Sequence, residues 1–444
     1  MEHEENRAAP RGNAWQAIGA ALLVGAMAGA AWFAIRTPAP HHAAAEGEAG
    51  ERVVAAASVQ EPRAADIAKL LQADPPASAP IELAEDEALV CGQVLPRAAL
   101  SDDRIARSLQ DAGAADALDQ FARQQLADDD HARAVGLVLR MHADANYRGD
   151  AGEGAACKAD NDDDCWKQRT QAHAQRVAPL LAELATLAAT STDPRVTTLA
   201  REQCFLLTHD TAPLAHCQAL SARRLVALDR DNAAAWLTLA AEEPASADEA
   251  MHQAAIASRW DDYALAARRF VERVDAKDGL RSLAVLQALL TTPAAQSIAA
   301  SQQVLQRCGA SIVAADANRR LQCEQLAQGL RTRSNSLAGL SAAASLAQAL
   351  GLDDAAAWRD DARVLAHVLE ARSHDVTAQE ADARDCTHAL PRALLARSAR
   401  EGEVPALRTL MQASGVTEAQ WRERLAAADA VRVAQAAQAA SAPR

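Results

Sequence analysis

Apolar residues recur at spacings of three and four along almost all of the chain beyond residue 80. Val177, Leu180, Leu181, Leu184 and Leu187 form one such stripe. Leu214, Cys217, Ser221, Leu225 and Leu228 form a second, and Leu337, Leu340, Ala344 and Ala347 a third. This spacing places each set on one face of an α-helix. No segment shows a sustained two-residue alternation, so strands are not expected. Helix ends are also written in the sequence. Asp193-Pro194 and Thr292-Pro293 each predict a capping residue followed by proline at the first helical position. Ser246…Glu249, Thr377…Glu380 and Thr417…Gln420 have the spacing of a capping box. Gly309 and Gly351 stand where glycine ends a helix. Pro179, inside the first stripe, predicts a kink or a start. The run Asp128-Asp129-Asp130 suits the positive end of a following helix. The expected class is all-α, an α-solenoid of antiparallel helical hairpins over 81–435.

The N-terminal part differs. Residues 17–35 carry no charge, and about 19 residues is close to the ~20 needed to cross a bilayer core as a helix. Trp15 at one end and Trp32 with Phe33 at the other suit the two interfacial belts. An uncleaved anchor over 15–36 is expected, with a cytoplasmic tail at 1–14. A cleaved signal peptide ending at Ala26-Met27-Ala28 is the alternative, but the apolar run continues past it and the leader is acidic. Residues 37–80 are rich in Ala, Pro, Gly and Glu and read as a flexible tether. Residues 436–444 read as a disordered tail.

Composition sharpens this picture. The chain has 444 residues, about a quarter of them alanine, and only 3% aromatic residues. Alanine favours helix, and its small size gives closely packed, thin layers. The net charge of −14 argues against a nucleic-acid partner, which would call for a basic face.

Eight cysteines stand at 91, 157, 165, 204, 217, 308, 323 and 386, all on the far side of the anchor. An even number so placed suggests disulfides in an oxidising compartment. High Ala and Arg, with lysine only at 69, 158, 167 and 277, fits a GC-rich bacterial genome. The expected location is therefore the bacterial inner membrane, single-pass, with the bulk in the periplasm. Cys204 and Cys217 lie equally far from the turn at 211–213 and would face each other across a hairpin. Cys308 and Cys323 are arranged alike around Gly309. Cys157 and Cys165 close a short loop. Cys91 and Cys386 pair by elimination.

At Ala227-Leu228-Asp229-Arg230-Asp231-Asn232-Ala233-Ala234-Ala235-Trp236 the chain resembles the junction between two tetratricopeptide repeats. Trp236, Leu239 and Ala240 match the first repeat helix, and Ala250, Ala254 and Ala257 the small packing positions of the second. The resemblance covers about 35 residues and departs from the family pattern at Arg230, where proline is usual. It implies a degenerate repeat protein with a concave surface for a protein or peptide. An unrelated α-superhelix is the alternative. A second internal echo aligns Cys91, Leu95, Pro96, Arg97, Ala98 and Leu100 with Cys386, Leu390, Pro391, Arg392, Ala393 and Leu395, as two related helical units would.

Candidate chemistry is sparse. Asp160, Asp162 and Asp164 alternate like calcium ligands, but Cys165 and Gln171 stand where glycine and a bidentate glutamate are needed. Cys204, His209, His216 and Cys217 are zinc-ligand types at a spacing that favours a disulfide. His367 and His374 share a helix face near Asp360, Asp361 and Glu370, and His41-His42 stands alone. No catalytic residue, cofactor or metal is assigned. The expected role is a membrane-anchored periplasmic interaction module or scaffold for an unknown periplasmic protein or peptide. The alternatives are an envelope enzyme built from distant helices, or a self-associating spacer. For the last, Gly25 and Gly29 supply a G-x-x-x-G in the anchor that could make a homo-oligomer.

Overall fold

A computed structural model describes residues 87–90, 93–96, 109–126, 128–148, 163–208, 215–263, 265–275, 279–290, 304–378 and 389–441. The anchor, the tether, the Thr292-Pro293 cap and the 160–162 part of the acidic loop lie outside these. No helix among the described residues is long and apolar enough to cross a membrane.

The described chain is helical apart from one ribbon. Strands β1 (Glu87–Val90) and β2 (Gln93–Pro96) pair antiparallel, with Val90 opposite Gln93. The all-α class holds, and this short ribbon corrects only the expectation that no strand would form. The local signal was two short apolar runs separated by the dipeptide Cys91-Gly92, a hairpin spacing. It also dissolves the internal echo. Leu95-Pro96 lies in a strand, whereas Leu390-Pro391 lies in a helix, Ala389–Glu401.

The helices are α1 (Ala114–Gln125), α2 (Asp130–Ala143), α3 (Asp163–Thr190), α4 (Pro194–Thr208), α5 (Ala215–Gln218), α6 (Ala222–Leu228), α7 (Ala233–Glu242), α8 (Ala247–Ile256), α9 (Gly279–Leu290), α10 (Ala310–Ala315), α11 (Ala317–Arg333), α12 (Leu337–Leu350), α13 (Ala355–Ala378), α14 (Ala389–Glu401), α15 (Glu403–Ala413) and α16 (Glu418–Ser441). Neighbours in sequence mostly pack on one another, α1 on α2, α3 on α4, α7 on α8 and α11 on both α8 and α12. The order is not strictly sequential. Helix α9 returns to lie on α1, burying Leu280, Ala284 and Leu289 in the same apolar cluster as Leu118 and Phe121. The 3-10 segment Ala266–Arg273 packs against α14.

Most buried apolar residues fall into two large clusters. The first gathers Leu109 to Leu220, Ala267 to Leu289 and Leu395. The second gathers Ala222 to Tyr263 and Val304 to Trp358. Two smaller ones hold the C-terminal helices, the last centred on Trp421, which is 1% exposed.

Several helix ends form as their residues dictate. Asp193 Oδ1 accepts from the Arg195 amide at 2.9 Å, and the helix begins at Pro194. Asp129 Oδ1 accepts from the Ala132 amide at 2.7 Å. The Thr417 amide donates to Gln420 Oε1 at 2.9 Å while the Gln420 amide donates back to Thr417 Oγ1 at 3.3 Å. Gly351 closes α12 in the left-handed region at φ 66°. Pro179 lies inside α3.

Others differ. Ser221 does not continue the second stripe; its Oγ accepts from the Arg224 amide and starts a new helix, so the stripe is split between α5 and α6. Ser246 makes no capping bond. The preceding Pro244 winds a 3-10 turn, and the Ser246 hydroxyl donates to Glu243 instead. Thr377 lies within α13 rather than before a helix. Gly309 does follow a helical turn, residues 304–307, but at φ −59° rather than in the left-handed region, and α10 begins directly after it. Helix α16 continues to Ser441, through most of the segment expected as a tail.

Candidate functional site

Helices α8 and α11 run side by side in the same direction. At one end Arg319 pairs with Asp248 at 2.5 Å. At the other, Arg333 donates to the Ala255 carbonyl at 2.9 Å and to the Ala257 carbonyl, covering acceptors that the end of α8 leaves open. Burial pulls the Arg333 guanidinium down from its usual value. Between these ties the exposed face of α11 floors a trough of about 580 Å³. Ile256, 58% exposed, stands at one side, and Leu352, after the α12 turn, at the other. Gln325 and Gln328 project from the floor as exposed amides. The floor from Glu324 to Arg333 spans about 14 Å. Apolar contacts flanking primary amides, each a donor and an acceptor, suit the backbone of an extended chain.

A second polar assembly is buried. After α8 the chain leaves helix, and residues 257–263 run along the second cluster, which takes in Ala257, Trp260 and Tyr263. Asn232, fully buried, holds this segment. Its Oδ1 accepts from the amides of Ala234 at 3.1 Å and Asp261 at 2.9 Å. Its Nδ2 donates to the Asp261 carbonyl at 2.7 Å and to Asp229 Oδ2 at 3.0 Å. Arg259 and the Tyr263 hydroxyl both donate to the Asp229 carboxylate. Tyr263 is the one described non-glycine residue at positive φ, 56°. Burial pushes the Asp261 carboxyl up, against a hydrogen bond from Asn335 and the charge of Arg259. Every partner here is another group of the same assembly, so it reads as a structural junction.

His131 lies at the start of α2, 1% exposed, with its ring edge-on to Phe270 at 5.4 Å. Arg269 and Arg273 stack over Phe270 at 4.7 and 5.0 Å. Burial first, then the charges of Arg269 and Arg195, lower its pKa to about 3. This group and the junction were missed in the sequence, because nothing local marks a lone histidine or an Asp-x-x-Asn as buried.

The residues predicted to pack a repeat lie together on one hairpin, α7–α8. Leu239 and Ala240 are 5% and 1% exposed, and Ala250, Ala254 and Ala257 are buried as well. Trp236 is half-buried, its indole donating to the Arg230 carbonyl at 2.8 Å. Cys204 and Cys217 form a disulfide with Cα atoms 5.8 Å apart, and so do Cys308 and Cys323, also at 5.8 Å. Neither is a simple hairpin bridge. Cys217 sits on the single turn of α5, and α10 intervenes between Cys308 and Cys323. The first bond removes the thiolates that a zinc site would need. Cys91, Cys157, Cys386 and the side chain of Cys165 lie outside the described residues. His367 packs against Trp421, and Asp361 pairs with Arg331 at 2.6 Å and Arg408 at 3.1 Å. The side chains of Glu370 and His374 lie outside the described residues. No group of three His, Cys, Asp or Glu among the described residues is placed to hold a metal ion.

The fold and the trough define a class only, an all-α protein of stacked helices. Comparison with protein-family models, with curated proteins and with solved structures finds no match.

Proposed function

We propose that this protein is a membrane-anchored scaffold of the bacterial periplasm that receives an extended segment of another protein in the α11 trough. The trough is the observation that carries the reading. It is open, lined by exposed amides and bounded by an exposed isoleucine, and it lies beside the α7–α8 hairpin that resembles a degenerate tetratricopeptide-like repeat. The apolar segment at 15–36 supplies the inner-membrane anchor, and residues 37–80 supply the tether. The two disulfides suit a compartment that keeps sulfur oxidised. An enzyme built on His131 is disfavoured, because a side chain 1% exposed offers no access to substrate.

The test is photo-crosslinking in intact cells from positions 325 and 328, with position 423 on α16 as control. A discrete adduct from 325 and 328, lost when Ile256→Asp is added, supports the reading. Adducts that are equal from position 423, or unaffected by Ile256→Asp, refute it.

A further inference from the structure

The two disulfides differ in what surrounds them. Cys308 and Cys323 are both 0% exposed and lie wholly inside the second apolar cluster. Cys204 is 6% exposed, but Cys217 is only half-buried, on a helix of four residues that buries none of them. A sulfur must be approached along its own bond axis to be displaced, so access decides which bond exchanges.

The more accessible of the two bonds also lies close to a border. Leu220 belongs to the first cluster and Ala222 to the second. Between them runs an ion pair of a buried arginine with an exposed glutamate. Arg201, on α4 and 3% exposed, donates to the Leu220 carbonyl and to Glu242 Oε1 of α7. The other oxygen of Glu242 accepts from the Ala222 amide at 3.3 Å. Arg224 adds bonds from α6 to the Ala188 and Ser191 carbonyls at 3.2 and 3.0 Å. Cys217 lies three residues before the carbonyl that Arg201 grips. With so little of α5 buried, the sulfur bond restrains the approach to that carbonyl together with the burial of the Leu220 side chain.

We infer that Cys204–Cys217 is a redox-sensitive joint within the first apolar cluster, just ahead of its border with the second, opened by a dithiol while Cys308–Cys323 stays closed. A thiolate of the dithiol attacks Cys217 Sγ, and the disulfide breaks with its electron pair leaving on Cys204 Sγ, which takes up a proton. The second thiolate of the same reagent then attacks the reagent sulfur of the mixed disulfide. The reagent closes to a cyclic disulfide and Cys217 departs as a thiolate to be protonated. The protein is reduced by two electrons and the dithiol oxidised by two. Leu220 is then held only by its buried side chain and the Arg201 bond, that acceptor is less firmly placed, and the α6–α8 unit loosens on α4. The inference is independent of the trough.

The full-length protein is treated with dithiothreitol under native conditions, trapped with N-ethylmaleimide at intervals and mapped by peptide mass, with hydrogen exchange followed in parallel. Cys204 and Cys217 are expected to label about tenfold or more faster than Cys308 and Cys323. Exchange should rise across residues 220–242 and stay unchanged across 317–333. Reoxidation should reverse the rise. A Cys204→Ser/Cys217→Ser variant should show the same rise without reductant and none further with it. Equal labelling of the two pairs, or unchanged exchange across 220–242 once Cys204 and Cys217 are labelled, overturns the joint.

Discussion

Replacing Asn232 by alanine tests whether the buried junction holds the molecule together. Asn232 is 0% exposed and makes four hydrogen bonds, of 2.7 to 3.1 Å, through one side chain. Alanine removes the cap of α7, which costs about 1 kcal/mol. It also strands the Asp261 amide and carbonyl in a partly buried site, at about 1–2 kcal/mol each. These losses sum to about 3–5 kcal/mol, and because they share one location somewhat less than the sum is expected. Urea unfolding followed by circular dichroism measures it. Ser221→Ala is the reference, since Ser221 is an exposed cap with a single bond to the Arg224 amide at 3.3 Å and should cost about 0.5–1 kcal/mol. Asn232→Asp separates the two contributions. It keeps the acceptor for Ala234 and Asp261 but sets a carboxylate 3.0 Å from Asp229, so its deficit should shrink as pH falls and one acid protonates. If Asn232→Ala costs no more than Ser221→Ala, the junction is not a keystone and the reasoning fails.

Three further outcomes rest on other buried or strained positions. His131 is held neutral with a pKa near 3 against an ordinary 6.5, so the unfolded chain binds more protons than the folded one between those values. Stability should therefore fall as pH drops below about 6, by at most ~1.4 kcal/mol per pH unit, and His131→Leu should flatten that slope in urea midpoints; equal slopes would refute it. Gly402 has φ 95° and an added Cβ would lie 2.7 Å from Asn335 Cβ, whereas Gly415 has φ 67° and open space around it. Gly402→Ala should then cost clearly more than the ~1–2 kcal/mol of Gly415→Ala, by thermal unfolding. Trp421→Ala should remove ~3–5 kcal/mol of local packing and expose α16 to limited proteolysis, while the interior of α11 remains protected from hydrogen exchange.

The helical class was legible because the apolar period is local. The third stripe lies on one helix, with Leu337, Leu340, Ala344 and Ala347 all buried. Caps were legible where nothing competed, as at Asp193 and Thr417. They failed where a neighbour intervened. Pro244 favours a 3-10 turn, and that turn takes the place of the box expected at Ser246. Ser221 reads as a stripe residue by spacing, yet its hydroxyl is worth more at a helix start than inside one. The return of α9 onto α1 could not be read at all, since periodicity says which face is apolar and nothing about which distant face receives it. The trough was invisible for the same reason, because Ile256, Gln325 and Leu352 meet only through tertiary packing.

Alanine explains why the polar and covalent ties sit between helices rather than within them. A buried methyl(ene) group contributes roughly 0.8 kcal/mol, against ~1.5–3 for a full leucine or phenylalanine side chain. Faces such as Ala343, Ala344 and Ala347 therefore allow close approach but weakly oppose sliding by one turn. Slippage is opposed where the shift would break something specific. At the junction, moving α7 against residues 257–263 would leave Asn232, Asp229 and Asp261 unpaired together, which is costly because Asn232 and Asp229 are buried. At the border between the clusters, Arg201 would lose both acceptors at once, and the Cys204–Cys217 bond fixes α5 on α4 just ahead of that border. Apolar periodicity makes the helices, and a few residues at the places where helix stops decide how those helices are set against one another.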